Sequence, residues 1–111
     1  MEVFKIVKVL FRGTVRGTVT STVTHVGCTG GAVKLSFIFK IDESINGIPE
    51  EFTVFASKTY KSGGLFSTHM REGDTVKIKG QILQTRIKEW QTDIIFMKAD
   101  HIFNENLNFG Y

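Results

Sequence analysis

The stretch FRGTVRGTVTSTVTHV, residues 11–26, decides how this chain folds. From 12 to 25 its even positions are Arg12, Thr14, Arg16, Thr18, Thr20, Thr22 and Thr24. Its odd positions are Gly13, Val15, Gly17, Val19, Ser21, Val23 and His25. A period of two places successive side chains on opposite faces of a strand. One face is then polar and partly basic and the other small and apolar, which predicts a half-buried strand. Gly13 and Gly17 predict a bulge or sharp bend, the means by which a long strand curls around a barrel. The RGTV echo has period four, so both copies present the same residues to the same face. Two copies are too few for a solenoid.

Downstream the alternation strengthens. Val33, Leu35, Phe37, Phe39 and Ile41 point one way, and Lys34, Ser36, Ile38, Lys40 and Asp42 the other. The preceding VGCTGG reads as a turn, and DESINGIPEE after it as a loop holding Asn46-Gly47 and the only proline. EEFTVFAS (50–57) predicts a third strand. KTYKSGGLFSTHMREG, residues 58–73, is the one long non-strand segment; Ser62 or Ser67 would cap a short helix ended by Gly73. DTVKIKGQIL (74–83) predicts a fourth strand, and QTDIIFMKADHIF (91–103) a fifth after a turn near 86–90. Residues 1–11 are also strand-like, either a separate strand or the start of the first. The expected fold is therefore all-β with one short helix: a five-stranded barrel of the oligonucleotide/oligosaccharide-binding (OB) type, the helix lying between strands three and four. A β-sandwich would need about seven strands and no central helix.

A length of 111 residues supports one domain, 1–111, able to bury a core without metal or disulfide. Hydrophobic residues at 41% and charged residues at 23% exclude a disordered tail protein. No apolar run approaches the roughly 20 residues of a membrane helix. The N-terminal MEVFKIVKVLF is broken by Lys5 and Lys8 and has no small-residue cleavage site after it, so it reads as a strand and not as a signal peptide. Cys28 has no partner for an internal disulfide, which fits a reducing cytoplasm. The net charge is +3 and the pI about 9.1, a mild pointer to nucleic acid. Acids cluster at Asp42, Glu43, Glu50 and Glu51 and again at Asp93, Asp100 and Glu105, whereas basic residues recur through the strands. One sign is expected to gather on one face.

The series GGAVKLSFIFKID (30–42), EFTVFASK (51–58), MREGDTVKIKGQI (70–82) and IIFMKADHI (94–102) resembles the bacterial and phage single-stranded DNA-binding protein family. The resemblance covers about 30–102, with 70–82 its most specific part and 103–111 a short C-terminal extension. It implies an OB fold and non-sequence-specific protection of single-stranded DNA in replication, recombination and repair. It also implies a homodimer or homotetramer in the cytoplasm of a bacterial or phage-infected cell. The family's Gly-x-Leu-x-x-Asp-Pro-Glu start is absent. So are its Gly/Gln/Pro-rich linker and acidic, Phe-terminated tail, so recruitment of repair enzymes is not expected here. Ala56 stands where an aromatic is usual.

Single-strand binding needs a cationic groove for phosphates and flat side chains on which bases stack. The expected cationic path runs through Arg12 and Arg16, Lys34 and Lys40, Lys58, and Lys77 and Lys79. It continues into Arg86 and Lys88 in the last turn. Trp90, the only tryptophan, sits in that turn and is read as a stacking residue, because a hairpin tip seldom buries an indole. Phe52 and Tyr60, at the ends of the third strand, either stack or fill core; Phe37 and Phe39 are read as core. His25 and Cys28 lack a second pair for a zinc site. The glycines at 27–31 do not make a phosphate-binding Walker loop, and Glu50 and Glu51 point to opposite faces. No catalytic constellation, metal or cofactor is expected. The alternative function is an OB-fold protein-interaction or oligomeric scaffold module, of the primosome-accessory kind, with weak or no DNA binding. RNA stays open as a ligand, since no residue is assigned to a 2′-hydroxyl.

Overall fold

The computed structural model describes residues 4–29, 32–59, 70–87, 92–106 and 108–110. These form seven strands: β1 (Phe4–Val19), β2 (Thr24–Thr29), β3 (Ala32–Ile41), β4 (Glu51–Thr59), β5 (Thr75–Ile87), β6 (Thr92–Asn104) and β7 (Phe109–Gly110). Five of them close a ring. β1 pairs β5, β5 pairs β6, β4 pairs β3 and β3 returns to β1, all antiparallel, while β6 and β4 run parallel. The fold is all-β. No helix is present among the described residues, and so none is long and apolar enough to cross a membrane. The helix expected between strands three and four falls largely on 60–69, outside the described residues. Its expected end, Gly73, sits in a turn at φ 96°. In that turn Asp74 accepts a hydrogen bond from the Arg71 amide at 3.0 Å.

The decisive stretch of sequence is divided differently from the expectation. Residues 4–11 are the start of β1, and β1 stops at Val19 instead of running on to 26. Residues 24–29 form a strand of their own, β2, so 26–29 of the turn expected at VGCTGG are strand, while Gly30 and Gly31 lie outside the described residues. Yet the chain never leaves the edge of β3. Gly17, Thr18 and Val19 pair with Ile41, Lys40 and Phe39, and Thr24 resumes opposite Ser36. Between them the Thr20 amide donates to the Ile38 carbonyl at 2.8 Å, and the Ile38 amide donates to the Ser21 hydroxyl at 2.8 Å. A side-chain oxygen thus replaces one backbone acceptor, satisfying the amide while breaking the ladder. Alternation alone does not show such a break, because Ser21 keeps its parity.

Gly17 is where β1 passes from β5 to β3, facing Val76 on one side and Ile41 on the other. A Cβ there would collide with the Lys40 carbonyl oxygen and sit 2.7 Å from the Phe39 ring. Gly13, four residues earlier, has φ 148°, a backbone angle that favours glycine. The bulge expected at these glycines lies earlier: the β1–β5 register runs unbroken through Gly13 and Gly17 and shifts between Ile6 and Lys8 and between Val9 and Phe11.

The interior takes one parity from β1, β3 and β4; on β6 the buried parity changes at the Asp100 bulge, and on β5 Leu83 and Thr85 are buried as well as Ile78 and Ile82. Val15 and Val19 meet Leu35, Phe37, Phe39 and Ile41, then Phe52, Val54 and Ala56, with Met70, Val76, Ile78, Ile82, Met97, Ala99 and Ile102 completing the core. Complete burial of such side chains stabilises by about 1.5–3 kcal/mol each before entropy is counted. Asn104 is a buried polar exception. Its amide donates to Asp74 at 2.9 Å, and its carbonyl accepts from the Asn106 amide at 3.0 Å, tying the end of β6 to the turn before β5.

Candidate nucleic-acid interface

The outer face of the ring is mapped by its register. Crossing from β1 to β4, one row reads Arg12, Gln81, Lys98 and Phe55, and β3 adds Ser36. The next row reads Thr14, Lys79 and His101, and the one after it Arg16, Lys77 and Phe103. All these β5 residues share odd parity, and a bulge at Asp100 keeps Lys98 and His101 on one face. Arg12, Lys77, Lys79 and Lys98 are exposed, and among the described residues no carboxylate lies within ion-pairing distance of them.

The aromatic surface is on β4 and β6. Phe55 is 41% exposed, and its ring packs edge-on against Phe96 with centroids 5.7 Å apart and planes at 81°. Lys98 lies directly abreast of Phe55 in the parallel pairing. Ile38, 39% exposed, is opposite Thr53 one step along the same face. An edge-to-face partner fixes the orientation of a ring while leaving one of its faces open. Neither Phe55, Phe96 nor Lys98 is among the residues predicted from sequence. The signal was there: in EFTVFASK, Phe52, Val54 and Ala56 share a parity, so Phe55 must face outward.

Several predicted residues stand elsewhere. Phe52 is only 5% exposed and packs on Phe39, centroids 5.9 Å apart; it is core and has no face free for a base. Arg16 is exposed but occupied. Its Nε donates to Glu105 at 2.7 Å and its Nη1 to Asp42 at 2.5 Å. The hydrogen bond and charge of Glu105, followed by those of Asp42, raise the guanidinium pKa further above its ordinary value. Arg16 therefore joins β1 to the loop after β3 and the turn after β6, with both carboxylates already on its guanidinium. Arg86 lies within β5 and not in the turn. It shares the parity of Ile82 and Gln84, opposite to Lys77 and Lys79, and faces Asp93 at 3.7 Å. It cannot continue the path of the two lysines. Gln84 also donates to Asp93, at 3.0 Å.

Lys40 is exposed on β3 with Glu51 directly across from it, so its row is charge-balanced. Glu51 in turn accepts a hydrogen bond from Thr20 at 3.0 Å. Lys34 and Lys58 have backbones in the β3–β4 ladder, opposite Ser57 and Val33; their side chains fall outside the described residues. Tyr60, Lys88 and Trp90 lie outside the described residues altogether. The acids Asp42, Glu43, Glu50 and Glu51 gather at the β3–β4 loop, and Asp42 reaches Arg16, so acid borders the lysine face at the Arg16 end of its row. No protein-family model matches the chain, and no curated protein matches it.

Proposed function

We propose that this protein binds single-stranded DNA without sequence preference, on an OB-type barrel whose first strand comprises β1 and β2 together. The ring order and the parallel β4–β6 pair support that architecture, with β3 and β4 as the second and third strands that carry ligand in such folds. The observation that carries the functional reading is Phe55. It is an outward ring on the ligand-bearing strand, held edge-on by Phe96 and flanked by Lys98, so a base can stack while an adjacent phosphate meets a cation. Stacking on a ring tolerates every base, which fits protection of arbitrary sequence. A mobility shift with single- and double-stranded DNA of one sequence at two salt concentrations tests it. Preferential, salt-sensitive binding of the single strand is the expected result. Equal affinity for duplex, or a flat salt response, would overturn it.

Self-association belongs to the same proposal. Among the described residues, β1 is paired along Phe4–Thr18 on its β5 side, whereas on the other side its ladder pairs are 17–19, with the Arg16 carbonyl accepting from the Asp42 amide, and Val9 is 42% exposed. An open edge of this length is a pairing site for a second copy. Sedimentation at tens of micromolar should give a homodimer or larger. Should DNA binding fail while assembly persists, the exposed Ile38 and Phe55 would favour the protein-interaction scaffold instead.

A further inference from the structure

Away from Phe55, the same outer face carries a second aromatic–cationic cluster. Thr14, Lys77, Lys79, His101, Ile102 and Phe103 line a shallow depression of about 190 Å³. Lys77 stands opposite Phe103 and Lys79 opposite His101, so each of the two cross-strand pairs joins a lysine to a flat ring. Phe103 is 39% exposed, and on its other side the paired residue of β7 is Gly110, which has no side chain to cover the ring. A single exposed phenylalanine needs no explanation by itself. Here the ring is joined by two lysines without a carboxylate partner among the described residues, while Arg16 in the same row is neutralised by Asp42 and Glu105. Lys77 and Lys79, in adjacent rows, thus stand without a carboxylate partner among the described residues beside a partly exposed ring.

We infer that this depression is a second contact for the same single strand, Phe103 stacking one base while Lys77 and Lys79 hold the flanking phosphates. The inference rests on the single-strand reading above. It adds a direction to it, because a strand leaving Phe55 would run past Lys98 and down β6 toward Phe103. From Gln81, level with Lys98 and Phe55, to Lys77, level with Phe103, is four residues of β5, or roughly 13 Å of strand. The bulge at Asp100 keeps His101 and Phe103 on this face after Lys98. Charge complementarity selects the occupant: a polyanion with planar bases satisfies both the lysines and the rings, whereas an apolar protein surface would leave the lysines desolvated.

Length separates the two contacts. Oligo(dT) strands spanning the roughly 4–16 nucleotides that one such barrel covers are titrated against the full chain and three variants. For the unaltered protein, affinity should rise with length as the strand reaches the second contact. Phe103→Leu, which keeps bulk but removes the flat ring, should lower affinity for long strands by about 5- to 150-fold, the range for loss of one stacked base. It should leave the shortest strands unaffected. Lys77→Gln with Lys79→Gln should do the same and flatten the salt dependence of long strands alone. Phe55→Ala should weaken every length. An unchanged length profile in Phe103→Leu overturns the second contact, and so does an equal loss at all lengths. If Phe55→Ala leaves short strands unaffected while the Phe103-dependent rise persists, the primary reading falls and the second contact stands. If no length binds at all, both fall.

Discussion

β4 carries two phenylalanines three residues apart, and the two faces of that strand put them to opposite uses. Phe52 faces inward beside Val54 and Ala56 and meets Phe39, its cross-strand neighbour on β3; Phe55 faces outward beside Lys98 and meets Phe96. Both rings have an aromatic partner at nearly the same separation. What differs is the number of sides enclosed. The inner ring is surrounded by side chains from the other strands, so its contribution is to stability. The outer ring has one side supported and one open, so it has little to lose on unfolding and a surface to offer. A candidate stacking residue is therefore recognised by its incomplete enclosure next to a cation, and not by being aromatic.

The largest test of this contrast is Phe52→Ala. Truncating a buried phenylalanine costs about 3–5 kcal/mol, and denaturant unfolding should show a loss of that order. DNA affinity of the remaining folded fraction should be preserved. A stable Phe52→Ala protein that no longer binds would reverse the roles of the two rings. Phe55→Ala comes next, with about 1–3 kcal/mol of binding free energy lost and the melting temperature nearly unchanged, as read by oligo(dT) titration and calorimetry. A fall in melting temperature without loss of binding would make Phe55 a packing residue. A smaller effect belongs to Lys98→Gln, which should reduce the log–log salt slope by about 0.7, the value of one single-strand phosphate contact. The smallest belongs to Arg16→Gln. Because Asp42 and Glu105 already hold that guanidinium, the salt slope should stay as it is; a slope reduced as much as by Lys98→Gln would show that phosphate competes successfully with both carboxylates.

Alternation was the legible part. Where the period of two ran cleanly, in 35–41, 51–56 and 75–82, strand and inward face followed, because a strand half-buried in water must segregate its side chains by parity; past Ile82 both Leu83 and Thr85 are buried, and parity there no longer tells buried from exposed. Parity even contained two facts that the site prediction did not use. Phe55 had to oppose Phe52, and Arg86, once counted within β5, had to fall with Ile82 on the face opposite to Lys77. Reading Arg86 as part of the turn hid the second. Choosing Phe52 over its neighbour put the ring nearest the strand end ahead of the one on the outer face.

By itself, then, the order of residues determined most of the strand segments and most of the side chains the core receives. Those outcomes are local: they follow from backbone geometry, from glycine where a Cβ has no room, and from the separation of apolar and polar side chains. Tertiary structure alone decided which strands meet. The passage of β1 from β5 to β3, the parallel contact of β4 with β6 and the Ser21 bond that splits the first strand all depend on how the ring closes. So does the fate of Arg16, whose two carboxylates lie 26 and 89 residues away in the chain. Charge counted along a sequence treats every cation as available. Closure of the ring brings distant acids to some cations and leaves others facing solvent, and that pairing separates Arg16 from Lys77, Lys79 and Lys98.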